Sequence, residues 1–481
     1  MPPPQSTLQM KLNKGQMAAR TGILRAVYQA AETNRKGCSI LLEGAAGTGK
    51  TAVIGEVLSD YVATTPQASN PNFDLWGRQL PGKLCVAAMS HKAKGELLNS
   101  LAKQGITNHP VLTVDQLLKA RPVTDPVTRE KRTQRQQIPL EPKYELIIID
   151  EVSMMSQQYF DWLMEWKHDW QTIVFIGDQA QLPPVQDGKL ASVFKNCDLT
   201  FKLDEVVRHE GVILDVCKRV RSYGKGYPSF KPAKDDEGEV AVFDSEEEFL
   251  ECLYAEAEKD HGVKVLCHTN ANVQRINKVI HERRNPGCEF PFVRDEHVMA
   301  ARAIEDIETG NPLVPSSMDM QVVDCVNAKL NLGMDAAEHL IGMDEVRNLL
   351  GSDGGEDIYR CHKVQVYYFG GDRLVDFYIG DYHRGEKKRF DATQVFLKGY
   401  ADDRTRGRSV TRALNRYILW RERHFAAVHL STAMTIHKSQ GSSFTNVWVY
   451  PDIPKRNSTN SNKLAYVACS RARRRLNLCN R

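Results

Sequence analysis

The sequence predicts an α/β fold of parallel sheets flanked by helices, and three observations carry that prediction. The run Gly44-Ala45-Ala46-Gly47-Thr48-Gly49-Lys50-Thr51 matches the phosphate-cradling pattern Gly-x4-Gly-Lys-Ser/Thr. An apolar stretch leads into it, and a proline-free, helix-compatible run from Ala52 to Tyr61 follows. Several short Val/Ile/Leu-rich runs, separated by helix-length segments, end in small or acidic residues. Runs that are apolar on both faces suit strands buried between two helical layers.

In chain order the strand candidates are Ser39 to Leu42, Leu84 to Ala88, Tyr144 to Asp150, Thr172 to Asp178, Val263 to Cys267 and Asn446 to Tyr450. Ligands of such sheets bind at the carboxyl ends of the strands. The phosphate loop and the acidic pair Asp150-Glu151 both fall there. Between Pro122 and Pro142 the chain is polar and basic, with Arg129, Lys131, Arg132 and Arg135, and reads as an exposed hairpin or loop. From about Arg284 to Arg423 the pattern changes to short strand-like pieces: Met320 to Val326, Lys363 to Phe369, Leu374 to Ile379 and Thr393 to Leu397. A helical segment, Met334 to Leu350, interrupts them, so a small β-barrel-like insertion is expected. The arginine-dense stretch Arg404 to Arg423 suggests a basic helix, with a solvated helix face as the plainer reading.

A chain of 481 residues exceeds one hydrophobic core and should divide into about two to four domains. With 42% hydrophobic and 26% charged residues its composition is that of a soluble globular protein. No stretch approaches the roughly 18 uninterrupted apolar residues of a membrane span. The opening Met-Pro-Pro-Pro-Gln lacks the apolar block of a secretory signal. Eleven cysteines without a Cys-x-x-Cys pair read as reduced thiols rather than a zinc site. An intracellular, cytoplasmic protein is expected. The net charge of +4 says little about partners.

The phosphate loop makes the chain an NTP user. Its glycines let consecutive backbone N–H groups turn inward around phosphates, and the following helix points its positive end at them. Lys50 then reaches the β- and γ-phosphates while Thr51 offers a hydroxyl to Mg²⁺. Tyr144 to Glu151 delivers two carboxylates at the end of a buried strand. Asp150 can hold Mg²⁺ through its water shell, and Glu151 can orient or deprotonate the attacking water. A third strand runs into Gly177-Asp178-Gln179-Ala180-Gln181-Leu182-Pro183-Pro184, which puts the Gln181 amide where it could sense the γ-phosphate. No Asn/Thr-Lys-x-Asp motif follows, which disfavours guanine nucleotides.

This succession resembles superfamily 1 helicases, specifically the 5′-to-3′ branch that contains the Dda, RecD and Pif proteins. The resemblance runs from Leu12 to about Leu478. It implies two RecA-like P-loop motor domains of parallel sheet flanked by helices, with a small hairpin insertion and an SH3-like β-rich insertion. Expected boundaries are residues 1–205 for the first motor domain with a hairpin at 120–143, 206–283 and 425–481 for the second, and 284–424 for the β-rich insertion. Leu12-Asn13-Lys14-Gly15-Gln16 looks like the opening motif, whose Gln16 reads adenine. Val206-Val207-Arg208 resembles the motif that brings a first arginine to the γ-phosphate. Thr435-Ile436-His437-Lys438-Ser439-Gln440-Gly441 is the most distinctive match after the phosphate loop, and Gln440 and Gly441 are expected beside the nucleotide. Leu464 to Ala472 resembles the last motif, which implies that Arg471 is the arginine finger. Charge explains that role: phosphoryl transfer spreads negative charge over equatorial oxygens, and a guanidinium supplied across a cleft stabilises it.

The resemblance also implies a polynucleotide track through Ser90, His91 and Lys92, then Thr113, then Thr269 and Asn270, and then Thr435, His437 and Lys438. Each of these is equally a capping or turn residue when taken singly. The chain departs from the family pattern in having Met89-Ser90-His91 for Pro-Thr-His, and in having Asp115 where a histidine is common. An aspartate facing phosphate is unfavourable. The hairpin carries no aromatic residue between Pro122 and Pro142, so any wedge there is a polar one.

The expected function is an ATP- and Mg²⁺-dependent DNA helicase that moves 5′ to 3′ on single-stranded DNA and opens forked duplexes. It would act as a monomer, with a single-stranded DNA-binding protein or other replication proteins as partners and no membrane. The alternatives left open are an RNA-directed viral helicase and an ATP-gated binding switch that moves nothing.

Overall fold

Along the strand Ser39–Gly44 every residue is buried, and successive side chains enter different cores. Ile40 and Leu42 pack with Ile23, Val53, Val57 and Leu58. Leu41 points the other way, toward Leu117, Phe160 and Leu163. The same alternation divides Ile148 from Ile147 and Val174 from Phe175. Opposed side chains at period two, both apolar, are what a parallel sheet covered on both faces requires.

The protein is described here from a computed structural model. It describes residues 12–32, 36–45, 47–64, 72–73, 79–80, 84–103, 105–106, 109–124, 131–135, 139–141, 144–184, 190–205, 211–306, 312–331, 358–380, 424–454 and 458–480. Ala46, Val206 to Arg208, the segments Met334 to Leu350 and Thr393 to Leu397, and the arginine-dense stretch to Arg423 lie outside them.

The first sheet is wholly parallel, in the order Leu199–Leu203, Ser39–Gly44, Thr172–Gly177, Leu146–Asp150, Leu84–Ala88, Val111–Thr113. Helices Lys14–Glu32, Lys50–Thr64 and His91–Lys103 cover one face, and helix Gln157–Trp166 lies on the other. The order sets the phosphate-loop strand, the Thr172–Gly177 strand and the Leu146–Asp150 strand side by side, so their carboxyl ends share one rim.

The second sheet runs Ala233–Lys234, Glu239–Phe243, Ala472–Cys479, Phe444–Val449, Val263–Cys267, Ala433–Thr435. It is parallel except for its first, two-residue strand. Val447 and Val449 face one core while Trp448 and Tyr450 face the other. Leu182, which follows the first sheet, is buried in the second sheet's core.

Between Val263–Cys267 and Ala433–Thr435, neighbours in that sheet, the chain builds a separate antiparallel sheet. Its order is Arg373–Gly380, Ile358–Tyr368, Asp319–Asn331, His297–Ala300, Val428–Leu430. Val298, Val322, Val364, Val366 and Phe377 form its core. Three of the expected strand pieces lie in it, and its last strand falls beyond residue 424. The basic segment after Leu118 forms a hairpin, Ala120–Thr124 against Lys131–Arg135. Among the described residues no helix is long and apolar enough to cross a membrane. None of the eleven cysteines is bonded to another.

Candidate nucleotide and nucleic-acid site

The phosphate loop joins the buried strand Ser39–Gly44 to the N-terminus of helix Lys50–Thr64. Gly47 and Gly49 adopt φ of 83° and 77°, where an L side chain is strained. The Thr48 hydroxyl donates to Ala45 O at 2.9 Å. The Lys50 ammonium donates to Gly44 O at 2.8 Å and Ala45 O at 2.9 Å, which holds it folded over the loop.

Gln16 braces the loop from below. It is 3% exposed, and its Nε2 donates to Thr48 O at 3.0 Å. Its Oε1 accepts from Asn13 N at 2.9 Å, while Asn13 Oδ1 accepts from Gln16 N at 2.7 Å. This reciprocal pair is a capping box that starts the first helix. A Cβ on Gly49 would collide with Gln16 Nε2, so this glycine serves both its φ and the close approach. The amide keeps one acceptor and one donor position for a base edge.

Asp150 ends the neighbouring strand but one, and Glu151 follows in the left-handed region at φ 59°, ψ 40°. Holding a non-glycine residue there costs about 1–2 kcal/mol, and it turns the Glu151 N–H onto Asp150 Oδ1 at 2.8 Å. Burial, and then the Glu151 carboxylate, pushes Asp150 up to about 7, with Lys50 pulling the other way. A carboxyl facing an ammonium and raised in this way is suited to a divalent cation. Asp150 with the Thr51 hydroxyl would hold Mg²⁺, so the residues present fit that ion. Gln181 is 4% exposed and accepts from Ser153 Oγ at 3.4 Å, which sets its amide beside the acidic pair.

Arg471 comes from the second sheet's side. It is 5% exposed, and its guanidinium donates to Val467 O at 3.1 Å, Ser442 O at 3.0 Å and Ser470 Oγ at 2.8 Å. It also acts electrostatically on Glu96 of helix His91–Lys103, whose carboxyl senses Glu151 as well. Arg471 of the second lobe and Glu151 of the first therefore both act on one carboxylate at the seam. Gln440 Nε2 donates across that seam to Leu182 O at 3.4 Å. Gly441, at φ 77°, stands opposite Ala93, whose Cβ would lie 3.6 Å from a Cβ on the glycine. Arg208 lies outside the described residues.

Sequence reasoning missed the strongest tie between the sheets. Asp178 is fully buried at the end of the Thr172–Gly177 strand and accepts from Tyr466 Oη at 2.7 Å and from Ala180 N at 3.0 Å. Arg221 stands 3.3 Å from its other oxygen, and Lys463 Nζ donates to Gln179 O at 2.9 Å. Tyr466, Arg221 and Lys463 all belong to the second lobe.

The track residues divide by chemistry. Ser90 accepts from Ala93 N at 3.1 Å, Thr113 from Gln116 N at 3.2 Å, Thr269 from Asn272 N at 3.4 Å, and Thr435 from Lys438 N at 3.3 Å. All four oxygens thus serve as caps or turn acceptors. The Thr269 hydroxyl also donates to Asp452, which takes the N–H groups of His268 and Thr269 too, so that donor is engaged. Asn270 and Lys438 are exposed. Burial, then Lys94, lowers His91, and burial, then His268, lowers His437. Both rings are neutral at pH 7, so they can offer phosphate a hydrogen bond but no charge. Asp115 accepts from Tyr159 Oη and is turned into its own lobe. Lys92 is paired with Asp319 of the antiparallel sheet at 2.9 Å.

An AAA domain model matches residues 12–226, and a UvrD-like helicase C-terminal domain model matches residues 430–479. The ATP-dependent DNA helicase dda of Enterobacteria phage T4 is 23% identical over 96% of this chain and 98% of its own length. Over nearly its whole length the chain is thus similar to a Dda-type helicase of superfamily 1. It is also 26% identical, over 38% of its length and 37% of the relative's, to the uncharacterized protein R530 of Acanthamoeba polyphaga mimivirus. Among solved structures it is similar to the Pif1 helicase from Candida albicans, at 15% identity and TM-score 0.45 over 98% of this chain and 95% of that one. A Bacteroides Pif1 in complex with ADP-AlF3 and ssDNA aligns at 16% identity and TM-score 0.46 over 97% and 92%.

Proposed function

We propose that this chain is an ATP-dependent DNA helicase that moves 5′ to 3′ along a single strand and opens duplex ahead of it. The observation that carries the proposal is the placement of complementary groups on two sides of one seam. Lys50, Asp150, Glu151 and Gln181 ride on adjacent strand ends of the first sheet, and Arg471, on the second lobe, lies close enough to the seam to act electrostatically on Glu96 of the first. Across the same seam the lobes are fastened by Tyr466 to Asp178 and by Gln440 to Leu182.

In this reading Lys50 and the loop N–H groups hold the β- and γ-phosphates, and Glu151 orients the attacking water. Thr51 and Asp150 would hold Mg²⁺, which would supply positive charge against the phosphate oxygens. Arg471 leaves its carbonyl partners to meet the γ-phosphate, and Arg208 supplies a second guanidinium. Gln16 spends its remaining donor and acceptor on adenine. Because Gln181 and Asp178 lie in one turn, a change at the γ-phosphate reaches Tyr466 within four residues of chain.

Opening a base-pair step costs about 1.4 kcal/mol, whereas fully switching a two-state element takes about 5.5 kcal/mol of differential binding. One nucleotide-driven closure therefore suffices for one step. The basic hairpin at 120–135 is the proposed separating element, and the antiparallel sheet, an SH3-like module in this reading, is its support. The boundaries proposed for these parts are those expected from the sequence, with the antiparallel sheet extended to take in Val428–Leu430. The protein would work in the cytoplasm as a monomer, alongside a single-stranded DNA-binding protein.

A fork-unwinding assay with matched 5′- and 3′-tailed substrates tests the proposal. Unwinding of the 5′-tailed fork alone is the expected result. Unwinding of neither, with ATP turnover indifferent to added oligonucleotide, overturns it.

A further inference from the structure

The ammonium of Lys92, next to the cap of helix His91–Lys103, donates to Asp319 Oδ2 at 2.9 Å. Asp319 opens the long strand Asp319–Asn331 of the antiparallel sheet. Lys264, on the second parallel sheet, is close enough to the same carboxylate to act on it electrostatically. Burial pulls Lys264 down to about 8, while Asp319 raises it and Lys92 lowers it further. Its Nζ donates to Ser431 O at 2.8 Å and Ser431 Oγ at 3.2 Å. Both ammonium groups lie over the Phe444 ring, 5.6 Å and 6.0 Å from its centroid.

Each of the three parts of the chain thus sends one charged side chain to one point: two cations and a single anion. Burial raises Asp319, but the Lys92 and Lys264 ammonium groups outweigh it and hold the carboxyl below its usual range. Its Oδ1 is nonetheless buried without a hydrogen-bond partner. Two ammonium groups beside one half-satisfied carboxylate form a site that a strand's phosphodiester can take over: it too carries a single negative charge, but shares it over two tetrahedrally disposed oxygens that can each meet an ammonium, with a neighbouring deoxyribose to lay on the Phe444 ring.

We propose that Lys264 and Lys92 form a backbone-phosphate subsite for a single strand, and that Asp319 is its built-in occupant, displaced when the strand enters. The proposal rests on the reading of this chain as a strand translocase. Exchanging one anion for another leaves neither lysine bare, which is what makes displacement feasible at a buried site where simple rupture would be costly. Displacement also unties the antiparallel sheet from the first lobe, so strand entry and release of that sheet become one event.

The test is fluorescence anisotropy of a labelled oligodeoxythymidylate with the full chain, without nucleotide, across a salt titration. Asp319→Asn should bind about tenfold tighter, having lost the competitor. Lys264→Met and Lys92→Gln should each bind more weakly, with a salt slope reduced by about 0.7. A merely structural latch predicts otherwise: Lys92→Gln and Asp319→Asn cut the same bond and would shift binding in the same direction, which overturns the proposal. An unchanged salt slope for Lys264→Met does so too. Should Asp319→Asn melt early, Asp319→Ser gives the same reading with a strand-compatible side chain. If the wild-type chain itself, melting normally, ignores the oligonucleotide, the translocase reading is what fails.

Discussion

The Tyr466 hydroxyl donates to Asp178 Oδ2 at 2.7 Å across the seam between the two parallel sheets, with both residues buried. Asp178 lies three residues before the proposed γ-phosphate sensor, and Tyr466 lies five before the proposed finger. The bond therefore links the two ends of the chemistry through protein alone. Tyr466→Phe should lower stability by about 1.5–3 kcal/mol, as for a hydrogen bond to a charged group. It should also lower kcat for strand-stimulated ATP hydrolysis more than it changes KM for ATP. Denaturant midpoints and steady-state kinetics check this. An unaltered kcat at reduced stability would leave the bond a structural tie only.

Lys50→Ala should abolish ATP turnover with and without oligonucleotide, because no other described cation is held over the loop by the Gly44 and Ala45 carbonyls. Phosphate release on a chain verified as folded measures it. Residual strand-stimulated turnover would count against the loop as the hydrolytic site.

Arg471→Ala should spare ATP binding and cut turnover by about a thousandfold, at the low end for an arginine finger. Binding of a fluorescent ATP analogue, read beside phosphate release, separates the two effects. Arg471→Lys should rescue little, since the side chain serves carbonyls at Ser442 and Val467 with a planar fork that an ammonium cannot reproduce. Normal turnover in either variant refutes the assignment.

Gln16→Ala removes both the helix-capping oxygen and the donor to Thr48 O. A stability loss of about 1 kcal/mol is expected from the cap. A rise in KM for ATP should accompany it, because the loop loses its brace. Gln16→Glu keeps the cap but not the donor. It should restore the melting temperature and leave KM high; a KM that recovers with it would assign the whole effect to the cap.

The His281–Glu296 pair gives a pH dependence of known sign. The hydrogen bond to Glu296 raises His281 above its usual pKa, against burial, with Nδ1 at 2.8 Å from Oε1. A histidine raised in the folded state binds its proton more tightly there than in the unfolded chain. Its stabilising contribution is full below the ordinary value of about 6.5 and fades as pH rises through the higher folded value. His281→Gln should flatten the fall in melting temperature across that window. An identical fall in the variant would show that other groups set it.

The parts legible in the sequence are those whose signal is local. The phosphate loop, the acidic pair and the six apolar runs each lie within about eight residues, and the structure places each of those runs in a strand. Asn13-x-x-Gln16 also carries a local signal, the spacing of a capping box, which reveals the structural duty of a residue otherwise read as a base contact. What stays hidden is pairing at long range. Tyr466 and Asp178 are 288 residues apart, and Lys92 and Asp319 are 227 apart. No periodicity encodes such meetings, because they follow from strand order and from the packing of whole sheets. The left-handed turn at Glu151 is hidden for another reason: nothing in the Asp-Glu pair itself demands it, and only the demand for the Asp150 contact explains it.

The second parallel sheet holds a strand pair, Val263–Cys267 beside Ala433–Thr435, whose members are made far apart in time. Its Glu239–Phe243 strand waits still longer, for Ala472–Cys479. At about 5–20 residues per second, a ribosome would leave this half-built layer without its neighbours for roughly 10–40 s. During that interval the apolar faces of Phe249 and Val265 have no Trp448 to cover them, whereas the last strand of the first sheet is already made by residue 203.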